Sequence, residues 1–277
     1  MPDIELSRSV SPNGLAYHRK GDGPAILLIH GVGLRAESWF PQIEALSAHN
    51  TVFATDLPGL GESPSLAELE PTIRHYSEAV RQFIADVIGG PAVVAGHSLG
   101  ALIAIDLAII APEWCQAIAP LNGVYQRTPE ALGAVQERAR LLREQVGTVW
   151  DLKLVTAPVG RWFGEKPTGQ LAIFAKLCTA WLEANDQAGY AAAYSAFANT
   201  EGPDPDALSG IAMPALFLTG EYDPNSTPDM SRAMAAAVAG GQVVIVPDSA
   251  HMTGLTHPDA VNTALLAFLE TVRAGSL

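Results

Sequence analysis

Six short apolar runs without polar alternation are the feature that most constrains how this chain can fold. They are AILLI at 25–29, TVFAT at 51–55, AVVAG at 92–96, AIAPL at 117–121, ALFLTG at 215–220 and QVVIVP at 242–247. Strands that are buried on both faces of a parallel sheet have this pattern. Segments of helical length and spacing lie between the runs, at 36–48, 70–88, 99–111, 227–239 and 257–272. This alternation predicts an α/β fold with a mostly parallel, doubly wound sheet.

The alternation is interrupted between about residues 124 and 210, where no clear strand pattern is present. Helical patterns occur there instead, at 129–146, around 149–163, at 169–183 and at 188–198. We interpret residues 124–204 as an all-helical cap over the carboxyl edge of a sheet formed by residues 1–123 and 205–277. The alternative interpretation is a set of ordinary crossover helices with long loops.

Charge and hydropathy argue against several classes of protein. The chain has 277 residues, with 16 Lys and Arg against 29 Asp and Glu, and a formal net charge of −13. Such an acidic chain is a poor binder of nucleic acid or of anionic membrane surfaces. The amino-terminal segment lacks the pattern of a signal peptide, and the apolar stretch ALIAIDLAIIAP is too short to span a bilayer. We therefore expect a soluble, cytoplasmic protein without a nucleic-acid or membrane partner.

The sharpest chemical signal is Gly96-His97-Ser98-Leu99-Gly100, directly after one apolar run and directly before a helical pattern. A G-x-S-x-G motif between a strand and a helix is typical of a nucleophile elbow. The turn strains the backbone of Ser98, and the two flanking glycines leave room where side chains would clash. Ser98 is therefore the predicted nucleophile.

A serine hydroxyl needs a base, and the base needs an acid that orients it. His251 follows the last apolar run, so it should lie at the same sheet edge as Ser98. The acid is expected after the preceding run, where Asp223 fits better than Glu221. Asn122 ends another run at the alternative position of a triad acid. It could orient an imidazole but could not offset its positive charge.

The oxyanion that forms on a substrate also needs hydrogen-bond donors. The backbone N–H of Leu99, which follows the nucleophile, is one expected donor. The second is the N–H of Val32 in the His30-Gly31-Val32-Gly33 segment. The alternative reading of this segment is a plain turn with two glycines. The sequence holds no metal-binding or nucleotide-binding motif, so no metal and no organic cofactor is expected.

Five motifs together resemble the serine-nucleophile branch of the α/β-hydrolase superfamily. They are HGVG at 30–33, DLPGLGES at 56–63, GHSLGA at 96–101, GEYDP at 220–224 and DSAHM at 248–252. The chain looks closest to small capped bacterial carboxylesterases and 3-oxoadipate enol-lactonase-like hydrolases. This resemblance implies the α/β-hydrolase fold with the helical cap inserted after the sixth strand. Ser98 argues against the dehalogenases and epoxide hydrolases of the superfamily, which carry an aspartate nucleophile.

Substrate choice should come from the cap, which holds several of the few cations of this acidic chain. An arginine can bind a carboxylate through two parallel hydrogen bonds. Arg161, Trp162 and Tyr125 are the predicted substrate-binding residues. Most other aromatic residues of the cap are expected to lie in its core, and most arginines on its helices are expected to face solvent. The substrate is expected to be a small ester, lactone or amide, and one hypothesis gives it a carboxylate.

The combined prediction is a serine hydrolase that works through a Ser98–His251–Asp223 triad and an acyl-enzyme intermediate. Other functions on the same residues are an acyltransferase or perhydrolase, a hydroxynitrile lyase and a non-catalytic ligand receptor. The expected partner is the small-molecule substrate. A homodimer is left open by the sequence.

Overall fold

A computed structural model of the chain describes residues 7–275. Its strands form one eight-stranded sheet with the order β1-β2-β4-β3-β5-β6-β7-β8. The pairs β1–β2 and β2–β4 are antiparallel, and the remaining pairs are parallel. The predicted mostly parallel, doubly wound sheet is confirmed. The strands are β1 (Arg8–Val10), β2 (Ala16–Lys20), β3 (Ala25–Ile29), β4 (Thr51–Thr55), β5 (Ala92–His97), β6 (Cys115–Leu121), β7 (Leu216–Gly220) and β8 (Gln242–Val246).

The hairpin formed by β1 and β2 was not predicted from the sequence. Its strands carry polar residues, RSV and AYHRK, and β1 is half-buried or exposed along its length. Continuous apolar runs are typical of strands that are covered on both faces, so a hairpin with polar residues at the edge of a sheet lacks this pattern.

Helices cover both faces of the sheet interior, which explains why five of the six predicted strands are almost entirely buried. The prediction that the sixth, β8, is buried on both faces is wrong: it lies at the edge of the sheet, and its first four residues are exposed or half-buried. Successive side chains of β3 point to opposite faces: Leu27 joins one core cluster, and Ile26 and Leu28 join the other. The helices outside the cap are α1 (Phe40–Leu46), α2 (Ile73–Phe83), α3 (Leu99–Ile110), α8 (Pro205–Ser209), α9 (Pro228–Ala237), α10 (Thr253–Thr256) and α11 (Pro258–Gly275). Helices α1 and α11 contribute to the core on the Ile26 face, and α2 and α3 to the core on the Leu27 face.

Four further helices follow β6 and correspond, within three residues at each end, to the helical segments predicted for the cap. Helix α4 packs against α7, and α5 packs against α6. The α5–α6 pair reaches the core through a small separate cluster that includes Phe163, Phe174, Leu34 and Met252. The exact division at residues 124 and 204 stays a prediction. The helices are α4 (Pro129–Glu144), α5 (Leu152–Phe163), α6 (Gly169–Ala184) and α7 (Gln187–Ala198).

A buried carboxylate organises the loop after β4. Asp56 accepts hydrogen bonds from the backbone N–H groups of Ala36 (2.7 Å) and Glu62 (2.8 Å). Arg8 of β1 forms an ion pair with Asp56 and another with Glu37. The network thus ties the edge hairpin to the loops at the carboxyl ends of β3 and β4. Within residues 7–275, no helix combines the length and the apolar character that a membrane crossing requires.

Candidate active site

The loop between β5 and α3 holds Ser98 in a strained conformation. Its backbone has φ 56° and ψ −110°, which a residue with a side chain rarely adopts. A Cβ on Gly96 would lie 2.0 Å from the carbonyl oxygen of Gly100, and a Cβ on Gly100 would lie 2.2 Å from that of Ile29. Both positions therefore require glycine, and the tight turn leaves Ser98 at the amino terminus of α3.

The structure brings the three predicted catalytic side chains into one hydrogen-bonded line. Ser98 Oγ lies 3.2 Å from His251 Nε2, and His251 Nδ1 lies 2.8 Å from Asp223 Oδ2. All three residues are buried. His251 Nδ1–H donates to the carboxylate, so Nε2 carries the lone pair that can accept the serine proton. Glu221, the weaker candidate for the acid, is exposed and accepts a hydrogen bond from the backbone N–H of Asp248.

The carboxylate of Asp223 is held by donors on both oxygens. Asn122 Nδ2 donates to Oδ2 (2.8 Å), the same oxygen that faces His251. The backbone N–H groups of Asn225 and Ser226 donate to Oδ1. Burial alone would raise the pKa of Asp223, but His251 and these hydrogen bonds together lower it. The acid therefore stays ionised beside the imidazole, and Asn122 acts on the acid rather than on the histidine ring.

Two backbone N–H groups in the loops around Ser98 lack a hydrogen-bond acceptor among the described residues. Neither the N–H of Val32 nor that of Leu99 has a hydrogen-bond acceptor within residues 7–275. Gly31 brings the Val32 loop against Ser98, since a Cβ on Gly31 would lie 3.2 Å from the Cβ of Ser98. These are the two donors that the sequence predicts for an oxyanion hole.

The loop that carries Val32 is fixed from both sides. His30 Nδ1–H donates to the carbonyl of Gly31 (2.7 Å), and His30 Nε2 accepts from the N–H of Leu57 (2.9 Å). Burial lowers the pKa of His30, so the ring stays neutral and can perform both roles. On the cap side, Asn185 Nδ2 donates to the carbonyl of Gly33 (2.9 Å). The cap thus helps to hold the loop in place.

The predicted substrate-binding residues occupy three different environments. Trp162 stacks near His251, with ring centroids 6.4 Å apart and an angle of 28° between the ring planes. Tyr125 is buried, and its hydroxyl has no hydrogen-bond partner in the described part of the chain. Arg161 is exposed on α5 and forms no ion pair within residues 7–275. The ring pair with His251 places Trp162 beside the predicted base.

Arg138 of α4 is a cap cation that sequence reasoning did not single out. It is half-buried, and its Nη2 donates to the hydroxyl of Tyr190 (3.3 Å) and the carbonyl of Val155 (3.2 Å). The guanidinium lies 5.1 Å from the ring centroid of Tyr194. Its Nε is buried without a hydrogen-bond partner, and no carboxylate within residues 7–275 pairs with it. The ring of Tyr190 in turn packs against Gly33 of the predicted oxyanion loop.

Arg127 is a second cap arginine without a carboxylate partner in the described part of the chain, and its Nη2 is likewise buried without a hydrogen-bond partner. Its Nη1 donates to the carbonyls of Phe197 (2.8 Å) and Thr200 (2.5 Å), at the carboxyl end of α7. Burial lowers the pKa of Arg127 to about 10, so it remains charged at neutral pH. It joins the segments where the chain enters and leaves the cap helices.

Among the described residues, no group of His, Cys, Asp and Glu side chains is arranged to hold a metal ion.

Comparison with known proteins adds a family and several relatives. The Alpha/beta hydrolase family profile matches residues 26–264. An (E)-2-((N-methylformamido)methylene)succinate hydrolase of Acinetobacter baylyi is 39% identical over 97% of this chain and 99% of its own length. The enol-lactonase of Burkholderia xenovorans has a similar structure, with a TM-score of 0.82, 25% identity, and coverage of 95% of this chain and 100% of that one. A thermophilic esterase of Thermogutta terrifontis shares the fold, with a TM-score of 0.80, 23% identity, and coverage of 97% and 99%.

Proposed function

The chain belongs to the alpha/beta hydrolase family, and we propose that it is a serine hydrolase that cleaves a small ester, lactone or amide through an acyl-enzyme. The observation that carries this proposal is the line of hydrogen bonds from Ser98 through His251 to Asp223. It lies beside two backbone N–H groups that have no acceptor in the described part of the chain. A nucleophile, a base, an orienting acid and oxyanion donors are the parts that acyl transfer requires.

The geometry supports a two-step reaction. Ser98 Oγ attacks the acyl carbon while His251 Nε2 takes the hydroxyl proton, and Asp223 stabilises the imidazolium. The N–H groups of Val32 and Leu99 bind the oxyanion of the tetrahedral intermediate. His251 then gives its proton to the leaving oxygen or nitrogen. In the second step His251 takes a proton from water, the hydroxide oxygen attacks the acyl carbon, and the proton returns to Ser98 as the acid leaves.

We propose further that the substrate carries a carboxylate near the scissile bond. The Acinetobacter baylyi relative is named for a succinate derivative, which has two carboxylates and a formamide group. In this chain, Arg138 is a cap cation whose Nε has no hydrogen-bond partner and which pairs with no carboxylate within residues 7–275. It donates a hydrogen bond to the hydroxyl of Tyr190, and the ring of Tyr190 packs on Gly33, so this one ring links Arg138 to the loop of Val32. Arg138 thus replaces Arg161 as our first choice for the carboxylate, and Arg161 remains the second.

The nucleophile is tested with a fluorophosphonate and with p-nitrophenyl acetate. We expect one phosphonyl adduct per chain, located on Ser98 by peptide mass spectrometry, and ester turnover that disappears in Ser98→Ala. Loss of a triad serine lowers turnover by about 10⁶-fold in a well-studied protease. An adduct on another residue, or full turnover by Ser98→Ala, would contradict the proposed function.

The carboxylate is tested with a matched pair of esters, mono-p-nitrophenyl succinate and p-nitrophenyl butyrate. We expect wild type to favour the succinate ester, and Arg138→Met to lose about 10- to 100-fold of that preference through KM, as for a charge-assisted hydrogen bond of roughly 1.5–3 kcal/mol. Arg140→Met is the control, since Arg140 lies on the same helix and pairs at the surface with Glu137 and Glu144. Equal preference in the Arg138 and Arg140 variants would refute the carboxylate site.

The bond type is tested with the relative's compound itself. Hydrolysis of its N-methylformamide group would release formate, which a coupled formate assay detects. Formate release that depends on Ser98 would favour an amide hydrolase. Rapid turnover of p-nitrophenyl succinate without any formate release would favour an ester or lactone substrate.

A further inference from the structure

His97 precedes the predicted nucleophile and makes a hydrogen bond that the mechanism above does not use. Its Nε2 lies 2.8 Å from the backbone carbonyl oxygen of His251, a residue 154 positions later in the chain. Because a carbonyl can only accept, the His97 ring must carry its proton on Nε2. Within residues 7–275, no other donor reaches this carbonyl.

The ring of His97 also lies against the loop of Val32 and against the ring of His251. A Cβ on Gly31 would lie 2.9 Å from His97 Nδ1, so this ring packs directly against the loop of Val32. The rings of His97 and His251 have centroids 5.1 Å apart. One buried side chain therefore contacts the nucleophile elbow, the predicted oxyanion loop and the loop of the base.

His97 is suited to this position because it stays neutral. Burial lowers the pKa of His97 to about 3, and the nearby His251 lowers it as well. A neutral ring keeps a single N–H for the carbonyl of His251. It also adds no positive charge beside the imidazolium that forms during acyl transfer. Asp223 and the hydrogen bond to His251 act in the opposite direction but do not offset the burial.

We propose that His97 is a positioning residue that sets the distance between the base His251 and the nucleophile Ser98 by holding the backbone carbonyl of His251. This inference rests on the proposed serine-hydrolase function. His97 does not touch the reacting atoms. It acts by fixing the position of the loop of His251 relative to the nucleophile elbow at Ser98. A displacement of about 1 Å at such a site can lower the rate by ~100-fold.

Three variants separate this role from simple packing. His97→Gln keeps an N–H donor three bonds from Cβ, as in histidine. His97→Met has a similar volume but no donor, and His97→Asn has a donor that is one bond too short to reach the carbonyl. The measurements are kcat and KM for p-nitrophenyl acetate, the rate constant of fluorophosphonate labelling of Ser98, and the melting temperature.

We expect His97→Gln to retain kcat and the labelling rate within about 3-fold of wild type. His97→Met and His97→Asn should lose about 10- to 100-fold in both quantities with an unchanged KM. If His97→Met does not fold, the comparison of Gln with Asn still tests the reach of the donor. Equal rates in the Gln and Asn variants, or a full rate in Met, would overturn the inference. Failure of wild type to label at Ser98 would instead refute the proposed function.

Discussion

The strained backbone at Ser98 leads to a prediction about stability that is independent of catalysis. Both Ser98→Ala and Ser98→Gly remove the hydroxyl, so both are expected to be inactive. They differ in Cβ alone, at a residue with φ 56° and ψ −110°. Glycine adopts this conformation without steric cost, whereas alanine retains the strain of the native serine. We expect Ser98→Gly to be the more stable of the two.

The size of the difference follows from two opposing effects. A side chain in such a sparsely populated region costs about 1–3 kcal/mol. Glycine also makes the unfolded chain more flexible, which lowers its advantage by about 0.4–1 kcal/mol. The net gain is about 1 kcal/mol. For a chain of 277 residues, an unfolding entropy of about 2.1 cal/mol/K per residue converts this to a melting temperature about 2 °C higher.

Calorimetry and urea unfolding of the two variants provide the measurement. Ala134→Gly is the control, because Ala134 is exposed in the interior of the regular helix α4. In that position glycine should lower stability by about 1 kcal/mol. If Ser98→Gly melts at or below the temperature of Ser98→Ala, the elbow does not store strain, and the reasoning is refuted.

Three further predictions concern the surroundings of the site. Gly33→Ala would place a Cβ 2.5 Å from the ring of Tyr190, at a residue with φ 75°. We therefore expect the loop of Val32 to shift and ester turnover to fall by ~10-fold or more, which steady-state kinetics would detect. Asn122→Ala removes a hydrogen bond that lowers the pKa of Asp223, so this carboxylate should contribute less stability above its unfolded pKa, and the free energy of unfolding should depend less on acid pH than in wild type; an unchanged acid dependence would contradict this. Burial alone would raise the pKa of Glu37, but its hydrogen-bond partners lower it below the ordinary value of 4.5. The stabilisation by ionised Glu37 is therefore present above about pH 4.5 and is lost as the pH falls towards the pKa of the folded state. The free energy of unfolding of Glu37→Gln should therefore fall less steeply with acid than that of wild type.

Local pattern was sufficient for the sheet interior and for the position of the candidate nucleophile. Each strand that is buried on both faces is apolar throughout, so its bounds could be predicted within about two residues. The elbow at Ser98 is equally local, since its two required glycines lie within two residues of the serine. Strands β1 and β2 could not be found in this way, because both carry polar residues and neither contains a continuous apolar run.

The residues around the substrate were harder to predict because helical arginines look alike in sequence. Arg161 and Arg138 both lie on amphipathic cap helices, but one is exposed and the other meets Tyr190 and Val155. The difference depends on how α4 packs on α7 and α5, and no local pattern specifies that packing. The same holds for Arg127, whose partners are backbone carbonyls at the end of a helix about 70 residues away.

The sequence by itself determined the six apolar strands of the sheet, the helical segment after β6 and the order of the candidate nucleophile, acid and base, because each is encoded in a few consecutive residues. The tertiary structure alone decided which polar atoms meet. It places His97 on the carbonyl of His251, Asn122 on Asp223, and Arg138 in the cap without a carboxylate partner in the described part of the chain. These contacts join residues from distant parts of the chain, and they form only where packed elements bring a donor within hydrogen-bond distance of an acceptor.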